Sequence, residues 1–168
     1  MGELVLAAKI THVPSLMLSE HLEPLKGTRD GPINALKLIG QRARERGADS
    51  VVVFDTHWIS NFGFHINANR WHRGSYTSPE APHMIADISY DFPGNPDLAY
   101  LIAAETAKDG PLALAHQVET MPVEYGTIVP MHYMNADKAL SVVPIASPVF
   151  ASVDENRKFG AAVHRAVK

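Results

Sequence analysis

The hydrophobic pattern predicts strands that alternate with amphipathic helices. An apolar run at 4–8, "LVLAA", and a β-branched run at 50–55, "SVVVFD", are typical of buried strands. Between them, "GPINALKLIGQRARERGA" at 31–48 repeats apolar residues at helical spacing, with a proline in its first turn and a glycine near its end. We therefore expect a β-α-β unit whose right-handed crossover makes the two strands parallel.

The rest of the chain continues this pattern and predicts the fold class. Further elements are expected, in chain order, as an edge strand at 86–92, a helix at 95–110, a strand at 112–116, a loop entering a short helix at 123–134, a strand at 140–147 and a helix at 155–168. Residues 59–83 mix aromatic residues, Asn and Gly, and predict an excursion or lid rather than core. The expected fold is α/β, with a mostly parallel sheet flanked by helices. Because the last helix reaches Lys168 without a C-terminal capping residue, we also expect the chain to be truncated there.

Composition excludes several classes of protein. Hydrophobic residues make up 46% of the chain and charged residues 20%, an ordinary globular balance that argues against disorder. The net charge is −3 and no basic block occurs, so neither nucleic acid nor an anionic membrane surface is an expected partner. No apolar run approaches the roughly 20 residues that span a bilayer. The absence of cysteine excludes disulfides, thiolate metal sites and cysteine nucleophiles, and it fits a cytoplasmic protein.

Two histidines follow the first two predicted strands. His12 lies four residues after the first strand, and His57 comes two residues after the apolar part of the second. Because ligands bind at the carboxyl ends of strands in open α/β sheets, both imidazoles should reach one crevice. Two neutral imidazoles suit iron, zinc or copper, and a carboxylate would complete a facial triad. Asp55 or Thr56 could orient His57. The alternative for each histidine is a hydrogen-bonding role in a loop.

The segment at 124–130, "EYGTIVP", is a third candidate. Tyr125 lies where a loop enters a predicted helix, so its phenol could project and donate a hydrogen bond. Its ring could equally pack in the core while the hydroxyl bonds the backbone. Glu124 could be a ligand carboxylate or an acid that interacts with the helix dipole. The sequence pattern leaves these alternatives open.

Five stretches of the chain resemble the class III extradiol ring-cleavage dioxygenases of the protocatechuate 4,5-dioxygenase catalytic-subunit type. They are "LAAKITHVPSLMLSE" (6–20), "VVFDTHW" (52–58), "YTSPEAPHMI" (76–85), "FPGNPDLAYLIA" (92–103) and "EYGTIVPMHYMN" (124–135). The resemblance implies a non-haem Fe(II) enzyme that cleaves a catechol with O2 in the breakdown of aromatic compounds, and we expect a homo-oligomer. In that family the histidines of "THVP" and "DTHW" are iron ligands, which carry over to His12 and His57. The position of Tyr125 lies at the substrate.

The resemblance also defines what this chain lacks. Family members are considerably longer, and their glutamate ligand and catalytic acid–base histidine lie in the C-terminal part. The third ligand and the catalytic base are therefore unassigned and expected beyond Lys168. Residues 1–168 are expected to be a single α/β domain that forms the N-terminal portion of a longer dioxygenase domain. Two other hypotheses are a zinc hydrolase that uses the same two histidines with bound water, and a non-catalytic member of the fold.

Overall fold

The computed structural model describes residues 2–168, which form two sheets and five α-helices. The helices are α1 (Ser15–His21), α2 (Asp30–Glu45), α3 (Pro96–Thr106), α4 (Tyr125–Met134) and α5 (Val153–Ala166), with a short 3-10 helix at Glu23–Leu25. The strands are β1 (Ser50–Ser60), β2 (Phe64–Asn67), β3 (Trp71–Tyr76), β4 (Ile88–Pro93), β5 (Ala113–His116) and β6 (Ser141–Pro148). In the part of the chain described, no helix is long and apolar enough to cross a membrane.

The central sheet contains four strands in the order β1-β6-β2-β5. β1 pairs with β6 in parallel, and β2 pairs with β5 in parallel. Ile66 of β2 and Ile145 of β6 join the two halves through an antiparallel pair. β3 and β4 form a separate antiparallel ribbon. The predicted α/β fold with a mostly parallel sheet flanked by helices is therefore confirmed.

Helices cover both faces of the central sheet, so its middle strands are buried on both sides. The adjacent β6 residues Val142 and Val143 are fully buried and point to opposite faces, as successive strand residues do. Val142 belongs to a core with α1, α2 and α4, whereas Val143 belongs to a second core with α3 and α5. Burial on both faces explains why β6 is a continuous apolar run instead of an alternating one.

The expected strand at 4–8 is wrong. These residues form no ladder with another strand, and Leu4 is 55% exposed. The Val5 carbonyl instead accepts a hydrogen bond from the Arg46 side chain at 3.0 Å. A strand exists only where its backbone groups pair with a neighbour, and an apolar run alone does not supply that neighbour. The expected crossover between this strand and β1 is therefore wrong as well, because the parallel partner of β1 is β6.

The interpretation of residues 59–83 as an excursion outside the core is also wrong in part. β2 lies inside the central sheet, and its Phe64 and Ile66 are buried in the core shared with α3 and α5. β2 is only four residues long, with Gly63 directly before it and Asn67 as its last residue. A strand this short offers too few alternating positions to stand out from turn-forming neighbours.

Helix α4, which begins with Tyr125, packs directly against α2. The closest approach is at Gly40, where a side-chain Cβ would lie 2.0 Å from the Met134 carbonyl oxygen. The Arg44 guanidinium donates a hydrogen bond to the same carbonyl at 2.8 Å. The absence of a side chain at Gly40 therefore allows α4 to lie against α2.

Candidate metal centre

The imidazoles of His12 and His57 converge. Their Nε2 atoms lie 2.9 Å apart, and their ring planes are inclined by 75°. His12 does not follow a strand, because it lies in the irregular segment just before α1, whose N-cap residue is Pro14. The expected meeting of the two rings is therefore found, although only one of them is presented by a strand.

A bulge in β1 presents His57. The parallel register with β6 pairs Asp55 with Ala146 and then Ile59 with Ser147, so three β1 residues between them have no partner on β6. His57 is the middle one of these three. The Asp55 side chain accepts a hydrogen bond from the His57 backbone N–H at 2.8 Å, which replaces the lost ladder partner. Asp55 thus orients the backbone that carries the imidazole.

Tyr125 packs on His57. It is the first residue of α4, and its ring centroid lies 3.8 Å from that of His57, with the planes inclined by 32°. Its hydroxyl donates a hydrogen bond to Glu80 at 3.4 Å and not to the backbone. Burial, and then the nearby Glu80 carboxylate, raise the pKa of the Tyr125 phenol, so the phenol keeps its proton at neutral pH.

Two carboxylates lie beside these rings. Glu124 is the N-cap residue of α4, but its side chain does not cap the helix and instead accepts a hydrogen bond from the Tyr76 hydroxyl. Burial is the main cause that raises the pKa of Glu124. A Glu80 carboxylate oxygen lies 3.6 Å from His57 Nδ1. Glu80 could not be selected from the sequence, because a single acid in the irregular loop between β3 and β4 has no distinguishing pattern.

A second histidine pair lies elsewhere in the sheet. His65 Nδ1 and His116 Nε2 are 2.7 Å apart, and the two rings are nearly parallel, with planes inclined by 13°. His65 and His116 belong to β2 and β5, which lie on the other side of β6 from β1. Their centroids are 4.9 Å apart, so the two nitrogens point head-on at each other. This is the geometry of an N–H···N hydrogen bond, and it leaves no room for an ion between the rings.

Comparison with known proteins identifies the family. Residues 6–168 match the family model described as the catalytic LigB subunit of aromatic ring-opening dioxygenase. The chain is 47% identical over 171 residues to 3,4-dihydroxyphenylacetate 2,3-dioxygenase from Escherichia coli. This alignment covers 100% of the chain and 61% of that relative. It is also 25% identical over 162 residues to the 2-aminophenol 1,6-dioxygenase beta subunit from Pseudomonas sp. This second alignment covers 92% of the chain and 52% of that relative.

The chain belongs to this family of aromatic ring-opening dioxygenases. It spans less than two thirds of the length of each of these two relatives. Membership in an extradiol dioxygenase family implies a metal cofactor.

The donor atoms of His12 and His57 fit a divalent metal ion. Two imidazole nitrogens that each lie about 2.1 Å from one ion, at a right angle, are about 3.0 Å apart. The observed separation of their Nε2 atoms is 2.9 Å. Burial, and then the neighbouring His57, lower the pKa of His12, and nearby Asp55 opposes them only in part. A neutral imidazole with a free lone pair is the form that binds metal. Among residues 2–168 no third His, Asp or Glu completes a metal-binding cluster.

Proposed function

We propose that this chain supplies the two histidine ligands of an Fe(II)-dependent extradiol dioxygenase. Its substrate would be a catechol, 3,4-dihydroxyphenylacetate, which the enzyme would open with O2 to 5-carboxymethyl-2-hydroxymuconate semialdehyde. The observation that carries the proposal is the convergence of the His12 and His57 Nε2 atoms at 2.9 Å, beside the Tyr125 ring. The substrate is taken from the relative that is 47% identical, whose name specifies 3,4-dihydroxyphenylacetate.

His12 and His57 would hold the iron. Both contribute uncharged donors, so the charge of the ion stays available to attract an anionic catecholate. When bound, Fe(II) supplies Lewis acidity and the electron transfer that lets O2 react with a catechol. The Tyr125 ring packs on His57 and restricts its rotation, which keeps the imidazole aimed at His12.

Tyr125 would contact the substrate. Its phenol keeps its proton because burial and Glu80 raise its pKa, so it can donate a hydrogen bond to an oxygen of the bound catechol. In the structure this proton points to Glu80, and the bond of 3.4 Å is long and weak. A substrate oxygen could therefore replace the Glu80 carboxylate as the acceptor at small cost.

Anaerobic reconstitution tests the proposal. The full-length protein is loaded with Fe(II), mixed with 3,4-dihydroxyphenylacetate and then exposed to air. A yellow semialdehyde formed with matching O2 uptake supports ring cleavage. Zinc in the purified protein, with turnover of an ester or amide and no O2 uptake, would instead identify a hydrolase that uses the same imidazoles. Absence of both metal and turnover in the freshly purified full-length protein would identify a non-catalytic member of the fold.

We also infer that the protein is a cytoplasmic homo-oligomer that takes a catechol and O2 as its small-molecule partners. The absence of cysteine supports a reducing compartment. Light scattering after size-exclusion chromatography of the protein measures the oligomer directly. A mass equal to one chain would contradict this inference.

A further inference from the structure

The Asp55 carboxylate holds the β1 bulge in place. Asp55 is 1% exposed, and its Oδ1 atom accepts hydrogen bonds from the backbone N–H groups of His57 at 2.8 Å and Trp58 at 3.2 Å. Both groups lie in the part of β1 that has no register partner on β6. Half-buried N–H groups without a ladder partner need another acceptor, and Asp55 provides it. The backbone direction of His57 therefore depends on where this carboxylate lies.

The other oxygen of the same carboxylate bonds to α4. Asp55 Oδ2 accepts a hydrogen bond from the Thr127 hydroxyl at 2.6 Å, and Thr127 is fully buried. Thr127 lies in the first turn of α4, two residues after Tyr125. The hydroxyl of Thr127 thus fixes the start of α4 relative to the bulge.

Gly126 allows the carboxylate to approach the helix. A Cβ at Gly126 would lie 2.2 Å from Asp55 Oδ1, which is closer than any side chain permits. Thr127 therefore reaches Asp55 only because the residue before it has no side chain. The sequence indicates Asp55 as a possible orienting residue for His57, but no pattern in the chain connects it with Thr127.

We propose that Asp55 and Thr127 are positioning residues that set the orientation of His57 relative to Tyr125, and through it the metal affinity of the His12–His57 pair. Neither residue touches the reacting atoms. The carboxylate acts through two separate bonds, one to the bulge that carries His57 and one to the helix that begins with Tyr125. This inference rests on the proposed function in assuming that His12 and His57 bind a metal.

The Thr127 hydroxyl offers the sharpest test. Thr127→Val keeps the shape of the side chain and removes the donor, so Asp55 Oδ2 loses its partner, whereas Thr127→Ser keeps the hydroxyl. Thr106 supplies a matched control, because it is also fully buried and its hydroxyl donates to the Ile102 carbonyl within α3. Thr106→Val thus removes a buried threonine hydroxyl from a helix outside the candidate metal centre.

Co(II) titration of the metal-free protein is the measurement, because the visible bands of Co(II) report both affinity and ligand geometry. We expect Thr127→Val to weaken Co(II) binding about 10- to 100-fold and to change its bands, the size of effect found for outer-shell partners of metal ligands. Thr127→Ser and Thr106→Val should keep the wild-type affinity and spectrum. Wild-type binding in Thr127→Val, or an equal loss in Thr106→Val, would overturn the proposal.

The same titration separates this proposal from the proposed function. A wild-type protein that binds Co(II) through His12 and His57, and responds to Thr127→Val, but does not cleave catechol with Fe(II), would contradict only the ring-cleaving activity. Catechol cleavage with an unchanged Co(II) affinity in Thr127→Val would contradict only the positioning role. A wild-type protein that binds no Co(II) would contradict both.

Discussion

The Nε2 atoms of His12 and His57 lie 2.9 Å apart, although 45 positions separate the two residues in the chain. Folding brings them together from two different kinds of structure, an irregular segment before α1 and a bulge in β1. The separation is within hydrogen-bonding range, so one imidazole can donate its N–H to the other when no ion lies between them. If the two imidazoles bind a metal ion as proposed, both Nε2 lone pairs face the ion at the same time.

Replacing either histidine should abolish metal retention. In the full-length protein, we expect His12→Ala and His57→Ala to lower the affinity for Fe(II) more than about 100-fold, because a lost ligand costs more than a lost outer-shell partner. Both variants should stay folded. The measurements are metal content after anaerobic loading and desalting, and circular dichroism.

His164→Ala is the control for these variants, because it removes an exposed histidine on α5 outside the candidate metal centre. It should retain as much iron as the wild type. Unchanged iron content in His12→Ala or His57→Ala would refute their assignment as ligands.

Tyr125→Phe should impair turnover more than metal binding. The variant keeps the ring that packs on His57 and loses only the hydroxyl, so iron content should stay at the wild-type level. The rate constant kcat for catechol cleavage should fall about tenfold, the effect of one lost hydrogen bond. Steady-state O2 uptake measures this rate.

Tyr133→Phe provides the comparison on the same helix. Its hydroxyl donates to Glu20 at 2.9 Å, outside the candidate metal centre. Removal of that hydroxyl should leave kcat unchanged. A wild-type rate in Tyr125→Phe would remove Tyr125 from the substrate-binding residues.

The sequence predicted the residues of the candidate centre better than the elements that carry them. His57 was expected just after a strand at 50–55, but it lies inside β1, which continues to Ser60 beyond a bulge that the β-branched run does not reveal. His12 was expected after a strand at 4–8 that does not form, since an apolar run does not specify its partner. Glu80 and Thr127 were missed. Glu80 contacts a residue 45 positions away in the chain, and Thr127 contacts one 72 positions away. Local periodicity does not indicate pairs at such separations.

The fold, like the candidate metal centre, could be predicted from the sequence only where local patterns decide it. Helices α2 and α5 were predicted to within a few residues, because both carry an amphipathic pattern over more than three turns. The four-residue strand β2 was missed, because its place in the sheet depends on pairing with β5 and β6. Whether a segment forms a helix is thus determined largely by its local sequence in this chain, whereas the order of the strands depends on pairing across the sheet.

His72 should make stability depend on pH. It is 2% exposed, its Nε2 donates to the Val142 carbonyl at 3.0 Å, and the Phe92 ring packs beside it. Burial lowers the pKa of His72, and the hydrogen bond to Val142 opposes this only in part. The folded protein therefore resists protonation that the unfolded chain accepts below a pKa of about 6.5. The stabilisation that comes from keeping His72 neutral is fully present above a pH of about 6.5. It is lost as the pH falls toward the lower pKa that His72 has in the folded protein.

His72→Gln should reduce this dependence. Glutamine keeps an N–H donor for the Val142 carbonyl but does not titrate, so the free energy of unfolding should fall less between pH 7 and 5 than in the wild type. Urea unfolding at several pH values measures the slope. His164→Gln, on the exposed face of α5, is the matched control. An equal slope in wild type and His72→Gln would show that His72 is not a source of acid sensitivity.

Gly40→Ala should destabilise the protein, whereas the same change at Gly160 should not. A Cβ at Gly40 would lie 2.0 Å from the Met134 carbonyl oxygen, so α2 and α4 would have to separate, at a cost of about 1–3 kcal/mol. Gly160 is an exposed residue within α5, where an added Cβ meets nothing within 4 Å. There alanine should stabilise the helix by up to about 1 kcal/mol. Chemical denaturation of both variants measures the sign of the change in the free energy of unfolding. A Gly40→Ala variant more stable than the wild type would contradict the close packing of α2 on α4.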